Sequence, residues 1–222
     1  MRIYATCDIS LTYFSLSNII FARLLNREVQ IAMKKIIVAS GNKGKLREIS
    51  EILKGKYEVI SMNEAGFTGD IVEDGSTFYE NALKKAKTVS EALGEDALAD
   101  DSGLCVNALG GKPGIYSARY SGEHGNDALN RKKLLEEMRG VEDRTAKFVA
   151  AIVVYKKDGS IIRGDGETFG EIAYKEEGNG GFGYDSIFIS DDLGKSFGLA
   201  TDDEKNSVSH RKRALIDLER HL

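Results

Sequence analysis

In the stretch Ala99-Asp100-Asp101-Ser102-Gly103 an apolar approach ends in two adjacent carboxylates, a hydroxyl and a glycine. Two acids on one turn repel each other when both are ionised, so a site that keeps them supplies a cation, a shared proton or ample water. A solvated turn is the plain alternative, because Asp, Ser and Gly are ordinary turn residues. A second candidate is the glycine-rich turn Ser40-Gly41-Asn42-Lys43-Gly44-Lys45, which follows the β-branched run of residues 35–40. Leu46, Ile49, Ile52 and Leu53 come next at helical spacing. Strand, turn and helix in that order aim backbone N–H groups and the positive end of a helix dipole at one spot, which suits a phosphate. Lys43 and Lys45 add charge there, although Leu46 stands where a Walker A loop needs its hydroxyl residue.

The second glycine-rich loop, Gly178-Asn179-Gly180-Gly181-Phe182-Gly183-Tyr184-Asp185, carries two aromatics and an acid. Its glycines let backbone approach a flat ligand, and Phe182 or Tyr184 can stack on a base. Lys85 aligns one turn from Asn81 on the helix expected over Phe78–Leu93, beside the apolar face of Ala82, Ala86 and Val89, so of the lysines there it is the candidate for a site role, with a solvated surface lysine as the plain alternative. Tyr116, Arg119 and Tyr120 are spaced for aromatic contact to a base and an arginine on a phosphate, or for ordinary surface packing. His210 and Arg211 open the last helix, where they can donate hydrogen bonds.

These residues need elements to hold them. Strands are expected over residues 35–40, 57–61, 147–155, 161–163, 168–174 and 186–189, with a hairpin turning at Asp158-Gly159. Thr77 and Thr201 each start a Ser/Thr-x-x-Glu capping box, and Asn126 caps a helix reaching Met138. The 222 residues, 41% hydrophobic, suffice for one α/β domain with a substantial core, and a net charge of −4 excludes a global field that would recruit nucleic acid or an anionic membrane. Cys7 and Cys105 lie far apart and form no CxxC pair, and His124, His210 and His221 are scattered, so neither a disulfide framework nor a zinc site is expected. Residues 1–32 differ from the rest: their apolar run is too short and too interrupted to span a bilayer, and Met33-Lys34-Lys35 reads as a natural start. They are expected to be an extension or a misassigned start, with the domain over residues 33–222.

Two glycine-rich turns, lysines, paired carboxylates, stacking aromatics and a terminal His-Arg together describe a nucleoside phosphate site with a divalent metal. Mg²⁺ prefers carboxylate, phosphate and water oxygen, and the chain offers carboxylates rather than a Cys/His cluster. In order along the chain, the residues 40–45 turn, Thr77-Phe78 with Glu80-Asn81-Ala82, Ala99-Asp100-Asp101-Ser102-Gly103-Leu104, Gly110-Gly111-Lys112-Pro113-Gly114-Ile115-Tyr116-Ser117-Ala118-Arg119-Tyr120, Gly180-Gly181-Phe182-Gly183-Tyr184-Asp185 and Glu204-Lys205-Asn206 with Ser209-His210-Arg211 resemble the inosine triphosphate pyrophosphatase family.

The resemblance implies an α/β fold, a mixed twisted sheet with flanking helices in two lobes around a central nucleotide cleft. It implies hydrolysis of ITP, dITP and XTP to monophosphate and pyrophosphate, with Mg²⁺, by a cytoplasmic homodimer. Carried over by residue, Ser40, Gly41, Asn42, Lys43, Gly44 and Lys45 line the triphosphate. Asp101 is proton acceptor and metal ligand, and Ser102 touches substrate. Phe182, Gly183, Tyr184 and Asp185 flank base and sugar, with Lys205, His210 and Arg211 completing the pocket. Where relatives commonly show two adjacent glutamates, this chain has Val72-Glu73-Asp74-Gly75; the second metal contact then falls to Glu73, with Asp74 as its substitute. A Maf-like pyrophosphatase would open on a Ser-Pro-Arg-Arg loop, which residues 40–45 lack, and a noncatalytic nucleotide sensor would not need both Asp100 and Asp101.

Overall fold

The computed structural model describes residues 34–221, and the expectation for residues 1–32 lies outside them. Strand β1 (Lys34–Val38) passes through a short turn into helix α1 (Lys43–Ile52), and β2 (Tyr57–Ser61) returns parallel to β1, Ile36 opposite Val59. A second crossover through α2 (Phe78–Leu93) brings β3 (Ala97–Val106) parallel to β1 on its other side. From there the chain runs antiparallel through β4 (Thr145–Tyr155), β5 (Ile161–Ile172), β6 (Phe188–Ser190) and β7 (Lys195–Ser196). Helix α3 (Asp127–Glu137) lies in the β3–β4 connection, and α4 (Asp202–Val208) and α5 (His210–Glu219) follow β7. The seven strands form one mixed sheet in the order β2-β1-β3-β4-β5-β6-β7, the α/β architecture that was expected.

Period-two alternation divides β3 between two cores. Leu98 packs with Ile49 of α1, Ile152 of β4 and Leu215 of α5. Ala97 and Ala99 point the other way, against Ala82, Ala86 and Val89 of α2. Ile49, Leu98, Ile152 and Leu215 are each at most 2% exposed, and burying such a side chain stabilises the fold by about 1.5–3 kcal/mol. The distal half of the sheet has its own cluster, in which Leu104, Phe148, Phe188 and Phe197 meet Leu134 and Met138. The two halves share the one sheet, and a cleft opens between the β1–α1 turn, the middle of β3 and residues 182–185.

Four sequence expectations are corrected. Asp100 and Asp101 do not share a turn: they sit inside β3, so their side chains leave on opposite faces and their mutual repulsion is avoided. The two short strands expected around residues 161–174 are a single strand, β5. Its inner-face glycines are not breaks but contact points for α5, since a Cβ at Gly164 or Gly166 would meet the backbone of Ala214 or His210. The strand expected from Ser186 begins only at Phe188, because Asp185–Ile187 is a 3₁₀ turn. At α2, Thr77 accepts the Glu80 N–H at 3.1 Å, but Glu80 reaches past Thr77 to the Ser76 N–H at 2.7 Å. The capping box at Thr201 is complete, and α4 then ends at Ser209, whose hydroxyl caps α5.

Candidate active site

Because β3 alternates, each aspartate acquires its own surroundings. Asp100 is fully buried on the α1/α5 face, where it accepts Lys45 Nζ at 2.7 Å, Arg211 Nε at 3.0 Å and Ser102 Oγ at 2.9 Å. Burial pushes its carboxyl up, but Arg211 and Lys45 prevail and hold it far below the usual carboxylate range. Glu48, on the inner side of α1, pairs with Arg211 and takes Lys205 Nζ at 2.5 Å. Lys205 also reaches Asp185 at 2.5 Å, and Asp185 accepts the Phe182 N–H at 2.7 Å. Burial raises the Asp185 carboxyl despite Lys205, whereas Arg211 and Lys205 together overcome the burial of Glu48 and lower it.

Asp101 faces α2 and borders the cleft. Lys85 Nζ lies 3.0 Å from its Oδ1, Asn81 Nδ2 3.2 Å from its Oδ2, and the same lysine reaches Glu73 at 3.1 Å. The alignment of Asn81 with Lys85 on one helix face thus has its counterpart in space. Burial, reinforced by the charge of Glu73, raises the Asp101 carboxyl against the pull of Lys85 and Lys45. Glu73 is also pushed up by burial, but Lys85 and then Lys45 bring it below its ordinary value. Glu73 lines the cleft, while Val72 is 65% exposed and Asp74 pairs with Lys84 at 2.6 Å on the surface.

No cluster of three or more His, Cys, Asp or Glu able to hold a metal occurs among the described residues. The donor set still fits a hard divalent cation: Asp101 and Glu73 offer carboxylate oxygens, and the buried Asp101 carboxylate lacks enough positive charge to offset its desolvation. Mg²⁺ characteristically uses one or two carboxylates and completes its shell with phosphate and water.

The cleft has a volume of about 520 Å³. Of the residues expected at the site, Ser40, Gly41, Asn42, Lys45, Ser102, Phe182, Gly183, Tyr184, Asp185, Lys205, His210 and Arg211 line it. Lys43 is exposed and does not, and Gly44 lies beneath the Phe182 ring, where a Cβ would come within 2.7 Å of it. The Asn42 side chain caps α1 by accepting the Lys45 N–H at 3.1 Å. Tyr184 is not a stacking ring: it is 5% exposed, packed in the distal core, and its hydroxyl donates to the Ser117 carbonyl at 2.8 Å. Phe182 is the half-buried aromatic, with Lys205 Nζ 4.7 Å from its ring centroid. His210 stacks on Phe148 at 4.8 Å, its Nδ1 has no hydrogen-bond partner among the described residues, and burial followed by the charge of Arg211 keeps it neutral.

Sequence reasoning missed Glu48, Asp127 and Arg131. Asp127 accepts the Gly183 N–H at 2.9 Å and Arg131 donates to the Gly183 carbonyl at 2.8 Å, so one face of α3 fixes the second glycine-rich loop. Glu48 had a faint signal, an acid in line with Lys45 and Ile52 on the inner stripe of α1. Of the Tyr116, Arg119 and Tyr120 group only Arg119 borders the cleft; Tyr116 is 55% exposed and Tyr120 pairs with Glu137 of α3.

The model of the Ham1 family matches residues 36–221. A dITP/XTP pyrophosphatase of Clostridium perfringens is 49% identical over 199 aligned residues, covering 86% of this chain and 98% of that protein. One of Bacillus subtilis is 46% identical, with 86% and 98% covered. Among solved structures, the Ham1 protein of Staphylococcus aureus superposes with a TM-score of 0.76 at 41% identity, covering 85% of this chain and 97% of that one.

Proposed function

The chain belongs to the Ham1 family, and from that membership we propose that it hydrolyses the noncanonical purine nucleoside triphosphates ITP, dITP and XTP to the monophosphate and pyrophosphate. The observation that carries this reading is the Asp101–Lys85–Glu73 cluster at one side of a cleft that also holds the capped N-terminus of α1 and the half-buried Phe182. The triphosphate lies along residues 40–45, where the first turn of α1 offers N–H groups without intrahelical partners and Lys45 adds charge. Asp101 takes the proton of the attacking water, with Lys85 and Asn81 fixing its two oxygens. Asp101 and Glu73 would hold Mg²⁺, which when bound neutralises phosphate oxygens.

Phe182 stacks on the base. Discrimination of a 6-keto purine needs a donor toward O6, and most candidate donors are already engaged: the Phe182 N–H by Asp185, the Gly183 N–H by Asp127, and Arg211 by Glu48, Asp100 and Ser102. His210, neutral and lining the cleft, is the group that reads the base through a ring N–H, while Arg211 braces the site. Adenine would set an amino donor against that N–H, and an unpaired buried donor costs about 1–3 kcal/mol.

In the same reading the enzyme is cytoplasmic and pairs as a homodimer. Support for pairing comes from the outer face of the distal sheet, where Phe169 is 51% exposed beside Lys147; light scattering on the purified chain tests it, a monomer at micromolar concentration refuting it. For the activity, pyrophosphate release is measured with ITP, dITP, XTP, ATP and the pyrimidine triphosphates. Preference for the first three is expected, and equal or better turnover of a pyrimidine triphosphate overturns the reading.

A further inference from the structure

Four of the cations bordering the cleft are already paired. Lys45 holds Asp100 at 2.7 Å, Lys85 holds Asp101 at 3.0 Å and Glu73 at 3.1 Å, Lys205 holds Glu48 and Asp185, and Arg211 holds Glu48 and Asp100. The set contains one more carboxylate than cations. To turn any of these groups fully onto a phosphate is to leave a buried acid with less compensation, which is strongly unfavourable. A triphosphate nevertheless brings several negative charges into this space.

Arg119 differs from the other four. It lines the cleft, is half-buried, and makes no ion pair among the described residues. Among the described residues the guanidinium makes one polar contact, a long hydrogen bond of 3.4 Å from Nη2 to the main-chain carbonyl of Glu73, and it lies 5.2 Å from the Tyr116 ring centroid. Since a guanidinium carries five N–H donors in a fixed fork, most of its capacity is free. The backbone that presents it is well anchored. Arg119 ends the 3₁₀ segment Gly114–Arg119, and within that segment Ser117 accepts the Leu104 N–H at 2.9 Å and donates to the Gly114 carbonyl at 2.6 Å, tying it to β3. Contact with Glu73 sets the guanidinium at the end of the cleft where Asp101 and Lys85 lie.

We propose that Arg119 is a substrate-binding residue that grips the two terminal phosphates, the pyrophosphate portion of the nucleotide, through its unpaired N–H fork. The inference rests on the triphosphate reading above and adds a residue to it. It predicts an effect graded by phosphate number: a group that touches only the terminal phosphates matters for ITP and for pyrophosphate, and not for IMP.

The test is Arg119→Gln, with the KM of ITP, the inhibition constants of inorganic pyrophosphate and of IMP, and the thermal midpoint measured for it and the unaltered enzyme. Losing a charge-assisted bidentate contact is expected to raise the ITP KM and the pyrophosphate inhibition constant together by roughly tenfold to a hundredfold. The IMP constant and the thermal midpoint should stay unchanged, because no ion pair is removed, and Arg119→Lys should restore part of the loss. An unchanged pyrophosphate constant overturns the inference, as does an IMP constant that rises in parallel or a midpoint that falls. If the unaltered enzyme releases no pyrophosphate from ITP, the reading of the cleft itself fails; if it does so and pyrophosphate inhibits Arg119→Gln normally, only the assignment of Arg119 falls.

Discussion

Asp100 and Asp101 are chemically identical neighbours, and replacing each by Asn should damage different properties. Asp100 is 0% exposed and receives Lys45, Arg211 and Ser102. Removing one partner of a buried pair costs about 3–5 kcal/mol. The lower end applies, because Arg211 keeps Glu48 and Lys45, whose side chain is 15% exposed, can recover water. Asp100→Asn is therefore expected to lose about 3 kcal/mol, which for a domain of this size lowers Tm by roughly 6–12 °C. Asp101→Asn keeps the shape of the side chain, leaves Lys85 with Glu73 at 3.1 Å and removes the repulsion between two carboxylates. Its stability change should stay within about 1 kcal/mol, while pyrophosphate release from ITP falls about 10²–10⁴-fold with loss of the general base. Urea unfolding and a pyrophosphate assay on both variants decide the matter. A Tm loss for Asp101→Asn as large as for Asp100→Asn would refute the division of labour, and so would near-normal turnover by Asp101→Asn.

His210→Gln should narrow the ITP over ATP ratio of kcat/KM by roughly tenfold, as one lost base contact implies, whereas Arg211→Gln should lower both rates alike together with Tm; parallel loss in His210→Gln would remove it from base reading. Native His210 releases its proton far more readily than an unfolded histidine near pH 6.5, so stability should decline as pH falls below about 6.5, where the unfolded chain takes up a proton that the folded one refuses. That decline, followed by denaturant titration between pH 7 and pH 5, should be weaker in His210→Gln; Asp101 and Asp185, raised by burial, oppose it, and loss from the carboxylates held low, Glu48, Glu73 and Asp100, enters only below their ordinary range. Gly44→Ala places a methyl 2.7 Å from the Phe182 ring and should raise the ITP KM by displacing it, with little change in Tm; an unchanged KM would show that the ring is free to move.

What was legible in the sequence was local. The β1–α1 turn, the extent of α2 and the capping of α3 and α4 follow from patterns a few residues long, and α2 occupies the expected Phe78–Leu93. Lys85 was legible because the helix period sets it above Asn81. The assignment of Asp100 and Asp101 to a turn failed because composition outweighed register: Ser102 and Gly103 suggest a turn, yet β3 continues to Val106, paired residue by residue with β4. The glycines of β5 misled for the same reason, since their use is to let α5 approach, a property of two segments some fifty residues apart. Pairings such as Arg211 with Asp100 and with Glu48 span 111 and 163 residues, and no local pattern encodes them.

Those long-range pairs join the two ends of the cleft. From the phosphate turn, Lys45 binds Asp100; Asp100 binds Arg211; Arg211 and Lys205 share Glu48; and Lys205 binds Asp185, which holds the Phe182 N–H. Phe182 in turn covers Gly44, in the turn where the chain of contacts began. Such a connected set of largely buried charges is costly to disturb at one point, because each ion removed leaves its neighbours less compensated. The loop proposed to stack on the base and the turn proposed to hold the phosphates are thus braced by one set of side chains. Asp101 stands outside the circuit, on the opposite face of β3, so in the proposed reaction its protonation can change while the frame of Asp100, Arg211, Glu48 and Lys205 keeps its contacts.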